Sequence, residues 1–224
     1  MVAKELIFRE FEELCTKYKK LLPPERLNDG WKIDGDFDVI DADGHRWDSY
    51  GIRIIIPAGF PYELPELVET SKKIEQSAGW HNSGGECCLA THAKIFNELG
   101  TPISLLKWMD RFVHDYLANH VIKIREKIYP KGEYPHGEEG MVVGYKEIFN
   151  LNTAEEVLER LNFLCGTTSL GRNDRCFCQS GRKYKHCFLK DPVGHFANIP
   201  VSLLNKERIQ IALWIKKNVE HSRK

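Results

Sequence analysis

The sequence has no apolar run long enough to span a membrane, so no membrane-spanning helix is predicted. Its opening stretch, MVAKELIFREFEEL, also lacks a signal-peptide pattern, because acidic residues interrupt each apolar segment. We therefore expect a cytoplasmic protein without a membrane partner. Cysteines stay reduced in that compartment, so clustered cysteines predict a metal or catalytic site before a disulfide. The cysteines are Cys15, Cys87, Cys88, Cys165, Cys176, Cys178 and Cys187.

The chain also has no formal net charge, because 32 Lys and Arg residues balance 32 Asp and Glu residues. A whole-protein attraction to nucleic acid or to an anionic membrane is therefore not indicated, although a local basic patch stays open. Internal repeats and low-complexity segments are absent too. The composition that remains, 42% hydrophobic and 29% charged over 224 residues, is typical of a globular protein with one large domain or a main domain and a smaller one.

Residues 1–130 predict an α+β domain. Apolar side chains at helical spacing indicate an amphipathic helix over residues 2–21, which two consecutive prolines end. Residues 30–70 predict an antiparallel β-meander, because runs rich in β-branched residues such as YGIRIII are separated by the turn-prone ADG. Residues 103–127 return to helical spacing. The order helix, strands, loop, helix is typical of an α+β domain.

A smaller helical and metal-binding domain is predicted over residues 151–224. The glycines and prolines of YPKGEYPHGEEG indicate that residues 131–150 form a linker before it. The stretch TAEEVLERLNFLCG predicts a short helix, with Thr153 as its cap and Glu156 completing a capping box. A helix over residues 203–219 is predicted to close the chain.

The stretch WHNSGGECCLATH, residues 80–92, concentrates thiols and imidazoles in a loop. One interpretation is a catalytic thiol with supporting groups, and a second is a metal site of His81, Cys87, Cys88 and His92. Adjacent cysteines rarely both face one ion, however, and this spacing matches no standard zinc pattern. A third is a structural pair, either buried or joined as a disulfide. Because neighbours on a strand face opposite sides, we expect one of the two cysteines to be buried.

Residues 56–67, IPAGFPYELPEL, resemble the segment of ubiquitin-conjugating enzymes in which a strand ends at a proline and enters a proline-rich turn. Pro57, Pro61 and Pro65 fall at the family's intervals. The family continues with a loop of the pattern His-Pro-Asn, followed by Gly-x-Ile-Cys-Leu, whose cysteine is catalytic. Overall the resemblance covers residues 1–128, including the first helix, the meander and the helix after the loop.

The loop alignment selects Cys88 as the counterpart of the catalytic cysteine. Asn82 lies six residues before Cys88, as the family's asparagine does, and Gly85 and Leu89 then also match. Choosing Cys87 breaks all three matches. The resemblance implies a ubiquitin-conjugating fold and a thioester on Cys88, with Cys87 buried at the family's isoleucine position.

The resemblance also implies the reaction and its partners. An activating enzyme would transfer the C-terminal glycine of a ubiquitin-like or other protein to Cys88, which would pass it to a lysine amine of a target. The Asn82 amide would donate to the oxyanion of the tetrahedral intermediate. His92, four residues after Cys88, is a candidate to deprotonate the lysine or to tune the thiol.

The chain departs from the family in places. Trp80 and His81 replace the His and Pro of the triplet, the segment after Cys88 is longer before its proline, and the C-terminal helix pair of eukaryotic members is absent. These departures indicate a divergent bacterial member, of the type found in anti-phage defence operons. They also keep open a catalytically silent adaptor that binds a protein partner.

Residues 171–188, GRNDRCFCQSGRKYKHCF, resemble the SEC-C motif, a small zinc-binding module. The resemblance implies a structural Zn²⁺ held by Cys176, Cys178 and Cys187. Because so short a segment buries little apolar surface, zinc would supply its folding free energy. The module would serve as a docking site for a protein.

The family's fourth zinc ligand follows the third directly, and Phe188 occupies that place here. We favour His186 as the replacement, with His195 or no fourth protein ligand as the alternatives. The arginines and lysines of the motif also leave a third function open, a zinc protein that binds nucleic acid. The zero net charge of the chain disfavours that function.

Overall fold

The protein is described from a computed structural model, in residues 3–128, 135–178, 180–190 and 198–222. The chain divides into two units by its internal contacts. The first comprises Met1–Ala90 and Thr101–Glu133, and the second comprises Thr91–Gly100 and Tyr134–Lys224. The predicted boundary at residue 130 therefore lies near the main division, but residues 91–100 join the second unit, which the sequence did not indicate.

The first unit contains a six-stranded antiparallel sheet in the order β1-β2-β3-β4-β6-β5. Its strands are β1 (Glu25–Leu27), β2 (Gly30–Ile40), β3 (Arg46–Ile56), β4 (Glu66–Glu69), β5 (Asn82–Ser83) and β6 (Glu86–Cys87). The long pair β2 and β3 places Ile33 opposite Ile54 and Phe37 opposite Tyr50, all four of them buried. Alternate residues of both strands thus face the core, as the β-branched pattern predicted.

Helices cover the buried face of this sheet. Helix α1 (Lys4–Lys17) buries Ile7 and Leu14, and the ring of Tyr18 at its end stacks 5.1 Å from that of Phe37 on β2. The predicted helix over residues 103–127 consists of α3 (Leu105–Trp108), a π turn (Met109–Val113) and α4 (His114–Glu126). The carboxylate of Glu10 accepts the backbone N–H of Leu105 at 2.8 Å and so ties α1 to the start of α3. The prediction of a mixed α+β unit is confirmed.

The second unit is helical in the part that the structure describes. Its helices are α2 (His92–Leu99), α5 (Gly137–Phe149), α6 (Ala154–Leu164) and α7 (Val201–Ser222). The capping box predicted for α6 is present, with Thr153 and Glu156 in the expected roles. The closing helix was predicted over residues 203–219 and extends slightly further at both ends. None of the helices described is both long enough and apolar enough to cross a membrane.

Helix α5 occupies residues that the sequence assigned to the linker 131–150, of which residues 131–134 lie outside those described. Two of its glycines, Gly140 and Gly144, are contact positions rather than helix breaks. A Cβ on Gly144 would lie 2.8 Å from the hydroxyl of Thr91, and a Cβ on Gly140 would lie 2.2 Å from the carbonyl oxygen of Pro135. The helix also buries Tyr145, whose hydroxyl donates to the Glu207 carboxylate of α7 at 2.6 Å. Close packing therefore accounts for Gly140, one of the glycines that suggested a linker.

Candidate functional site

The first candidate site is the hairpin loop that carries the two adjacent cysteines. Strand β6 ends at Cys87, which is buried, whereas Cys88 is exposed. Burial raises the pKa of Cys87 to about 12. The pKa of Cys88 is also raised, first by partial burial of its sulfur and then by the negative charge of Glu86. The prediction that one member of the pair is buried holds for Cys87, and Cys88 is the accessible thiol.

Asn82 holds this loop from within. Its side chain is 1% exposed. The Nδ2 group donates to the carbonyl oxygen of Ile74 at 3.3 Å, and Oδ1 accepts the backbone N–H of Gly85 at 2.9 Å. Gly85 has a φ of 96°, a conformation that favours glycine. The amide predicted to donate to an oxyanion is thus engaged in ordering the hairpin, and its oxyanion role stays a prediction.

The carboxylate of Glu69, also buried, holds the segment that precedes the loop. It accepts the Ser71 hydroxyl and the backbone N–H groups of Lys73 at 3.4 Å and Ile74 at 3.5 Å. The backbone N–H of Glu69 in turn donates to the carbonyl oxygen of Gly85 at 2.8 Å. Because Ile74 and Gly85 are also the partners of Asn82, the two buried side chains belong to one hydrogen-bond network.

Helix α4 supports the loop from a further side. The Tyr116 hydroxyl lies 3.1 Å from the carbonyl oxygen of Trp80 and 3.2 Å from that of His81. The His81 carbonyl also accepts the backbone N–H of Cys88 at 2.8 Å. Lys123 lies 4.4 Å from the centre of the Trp80 ring and donates to the carbonyl of Gly79. Cys88 is therefore exposed on a loop whose backbone is fixed from several directions.

His92 is the first residue of α2, which belongs to the second unit. The first unit alone therefore offers Cys88 with Asn82, and the proposed role of His92 in proton transfer stays a prediction. The metal interpretation of this loop gains no support. Two groups of described residues bring three ligand atoms within 4.8 Å of one another, and neither contains Cys87 or Cys88. One of these groups is formed by Asp41, Asp43 and His45, which lie together on a surface turn.

The other group is the second candidate site, formed by Cys176, Cys178 and Cys187. All three sulfurs lie within 4.8 Å of one another, and those of Cys178 and Cys187 are 3.3 Å apart. Thiolates on one tetrahedral zinc, with Zn–S bonds of about 2.3 Å, would lie about 3.8 Å apart. The donor set and its dimensions therefore fit a metal ion. Burial raises the pKa of Cys176, so binding must displace a thiol proton there.

Local backbone contacts bring the three thiols together. Arg175 and Lys183 form an antiparallel bridge, and the backbone N–H of Cys176 donates to the carbonyl oxygen of Arg182 at 2.8 Å. Gly181, with a φ of 74°, makes the reversal between the two segments. The single 3₁₀ turn Tyr184–His186 then delivers Cys187 to the cluster.

The structure leaves His186, our favoured fourth ligand, outside the cluster. The side chain is exposed at the end of the 3₁₀ turn, whereas the next residue, Cys187, points inward and is 2% exposed. Neighbours on so tight a turn face different directions. His195, the alternative, lies outside the described residues. Ser180 was not singled out from the sequence, yet its hydroxyl lies 3.1 Å from the sulfur of Cys178 and 3.3 Å from that of Cys187.

Phe188, at the family's place for the fourth ligand, is instead part of an aromatic cluster. Its ring stacks on Tyr184 with centroids 5.5 Å apart and meets Phe163 of α6 edge-on at 5.2 Å. The ring of Phe163 also packs on that of Phe177, the residue between the first two cysteines, with centroids 3.9 Å apart. Phe188 thus packs the thiol-bearing segment against α6.

Comparison with known families agrees with this second site. Residues 172–187 match the family model described as the SEC-C motif. The match includes all three cysteines of the cluster, so the chain carries this motif together with a cysteine group that can hold a metal. The whole chain has no significant match among curated proteins or solved structures.

Proposed function

We propose that the protein is an acyl carrier of the ubiquitin-conjugating type, with Cys88 as the residue that forms the thioester. The observation that carries this proposal is the difference in exposure between the two adjacent cysteines. One thiol is buried with a pKa near 12, and its neighbour is exposed on a loop fixed by Asn82, Glu69 and Tyr116. The order of helix, antiparallel meander, cysteine loop and helix is compatible with a ubiquitin-conjugating fold.

The reaction is an exchange of thioesters followed by transfer to an amine. The Cys88 thiolate attacks the carbonyl carbon of a glycine held as a thioester on an activating enzyme, whose thiolate leaves. A lysine amine of the target then attacks the Cys88 thioester, the Cys88 thiolate leaves, and the nitrogen loses a proton. Burial raises the pKa of Cys88, so the thiol must lose its proton to solvent before it attacks.

For the second unit we propose a structural zinc site on Cys176, Cys178 and Cys187. Thiolate sulfurs at this spacing suit zinc in a reducing compartment. We further propose that the module docks a partner of the conjugation reaction, such as the target protein. A ubiquitin-like cargo and a bacterial anti-phage operon are the setting that we propose from the cysteine-loop pattern.

The test is intact-protein mass spectrometry after co-expression with the proteins encoded beside this one, without reductant. We expect an adduct on the parent chain that thiol releases, that Cys88→Ala abolishes, and that Cys88→Ser converts to a thiol-resistant ester. Cys165→Ala, which removes a half-buried thiol of the second unit, is the matched control and should keep the adduct. If an active activating enzyme leaves the parent chain unmodified while partners still bind, the protein is a silent adaptor and the carrier proposal is wrong.

A further inference from the structure

Helix α6 carries a buried positive charge that forms no ion pair among the residues that the structure describes. Arg160 is 5% exposed, and its Nε makes no hydrogen bond within the described part of the chain. Glu156 and Glu159 of the same helix line one cleft with Arg160, and the described residues show no ion pair between either carboxylate and the guanidinium. Glu156 accepts the backbone N–H groups at the helix start, and Glu159 is exposed. A buried guanidinium without a counter-charge is unfavourable, so the position needs an explanation.

The contacts of Arg160 point to the thiol cluster. Its Nη2 donates to the carbonyl oxygen of Phe177 at 3.2 Å, and Phe177 is the residue between Cys176 and Cys178. The guanidinium carbon lies 4.7 Å from the centre of the Phe177 ring and 5.0 Å from that of Phe149. Arg160, Cys176 and Phe177 also line one open cleft of about 420 Å³. The guanidinium is therefore fixed against the backbone that carries two of the three sulfurs.

We propose that Arg160 is the charge partner of the metal-bound thiolates, a positioning residue that couples metal binding to the packing of α6. The inference rests on the proposed zinc site and is independent of the chemistry at Cys88. Zinc with three thiolates carries one net negative charge, which the guanidinium beside the Cys176–Cys178 segment balances.

This role predicts effects of opposite sign in the two metal states. With zinc bound, loss of the guanidinium leaves the thiolate charge without its partner and weakens the site. Metal binding releases thiol protons, so the metal-free cluster carries less negative charge. Loss of the guanidinium then mainly removes a buried charge that has no ion pair in the described part of the chain, and should not destabilise the unit. A role confined to ring contacts and one hydrogen bond would instead cost the same stability with and without metal.

The experiment compares Arg160→Met, which keeps an unbranched apolar stem, with Arg160→Lys, which keeps the charge. Arg182→Met, at an exposed arginine of the same motif, is the matched control. Zinc affinity of the full-length chain is measured by competition with a chromophoric chelator. Thermal unfolding is followed with zinc and, separately, with EDTA under reducing conditions. Zinc binding by the parent chain is established first, and its failure would refute the zinc site itself.

For Arg160→Met we expect zinc affinity about 10- to 100-fold weaker, the range found for residues that support metal ligands. Its melting temperature should fall with zinc and stay level or rise with EDTA. Arg160→Lys should keep most of the affinity, and Arg182→Met should match the parent. Unchanged zinc affinity in Arg160→Met, or equal losses of stability in both metal states, would overturn the proposal. Where EDTA unfolds the second unit in every variant, the zinc affinities decide the outcome. Arg160→Lys with a zinc affinity as low as that of Arg160→Met would then overturn the proposal.

Discussion

Replacing Asn82 with alanine would remove the two hydrogen bonds by which its side chain orders the Cys88 hairpin. The change leaves the Ile74 carbonyl and the Gly85 N–H without the partners they have at 3.3 and 2.9 Å. A buried polar group without a partner costs about 1–3 kcal/mol. Because Ser83 and Gly84 beside it are exposed, water can reach part of the vacated space. We therefore expect the closed loop to lose about 2–4 kcal/mol relative to its open form.

The buried thiol beside the loop reports this loss directly. Cys87 can react only when the hairpin opens, so its alkylation rate under native conditions follows the population of the open form. A loss of 2–4 kcal/mol corresponds to a rate about 30- to 700-fold higher, at about 1.4 kcal/mol for each factor of ten. Iodoacetamide labelling followed by peptide mass spectrometry measures the rate at Cys87 alone. Ser83→Ala, on the exposed neighbour, is the control and should label at the parent rate.

The same variant separates the two roles considered for Asn82. If the amide serves only the oxyanion, alanine would slow transfer from Cys88 and leave Cys87 as protected as in the parent chain. If it orders the loop, Cys87 becomes reactive whether or not any partner protein is present. Parent-like labelling of Cys87 in Asn82→Ala would refute the reasoning from the buried hydrogen bonds.

Three further results are expected. Iodoacetamide should modify Cys88 well before Cys87 in the native protein. The rate at Cys88 should still rise near about pH 9, because the pKa of Cys88 is raised above the usual thiol value. Equal rates at the two thiols would contradict the assignment of Cys87 as buried and Cys88 as exposed. EDTA should lower the melting temperature of the second unit and zinc should restore it, because the thiol-bearing segment has little core of its own. Identical calorimetric traces with and without EDTA would count against a structural metal. Glu207→Gln should raise the melting temperature of the zinc-saturated chain near neutral pH, because burial raises the pKa of Glu207 and so disfavours its ionised form in the folded state, while glutamine still accepts the Tyr145 hydroxyl. Because the pKa of Glu207 is raised in the folded state, the stability of the parent should fall as the pH rises from the ordinary carboxyl pKa to the raised one. Parallel pH profiles of the parent and Glu207→Gln would disprove the assignment.

Local patterns predicted the elements whose side chains repeat at a fixed period. Ile33, Phe37, Ile52 and Ile54 alternate along two strands, and the structure buries all of them. The capping box at Thr153 depends on a spacing of three residues, which is fully local. The resemblance to the SEC-C motif likewise predicted that Cys176, Cys178 and Cys187 come together, and a single reversal at Gly181 achieves this.

Features decided by tertiary packing were not accessible from the sequence. Gly140 and Gly144 look like helix breakers until Pro135 and Thr91 are known to pack against them. The direction of His186 depends on the 3₁₀ turn Tyr184–His186, whose position the sequence does not define. For Asn82 the residue type suggested a donor, but only its neighbours Ile74 and Gly85 show where the amide is used.

The two candidate sites hold their sulfur-bearing segments by the same means and with different consequences. In each, a buried side chain bonds to backbone beside the thiols, Asn82 to Gly85 in the hairpin and Arg160 to Phe177 in the motif. Asn82 is neutral, so its hold on the loop should be independent of whether Cys88 is free, ionised or acylated. Arg160 is charged, so its contribution depends on the charge of the cluster that it faces. The proposed carrier loop must keep one shape through a covalent cycle, for which a neutral amide is suited. The proposed docking module can be made conditional on metal, for which a buried charge is suited.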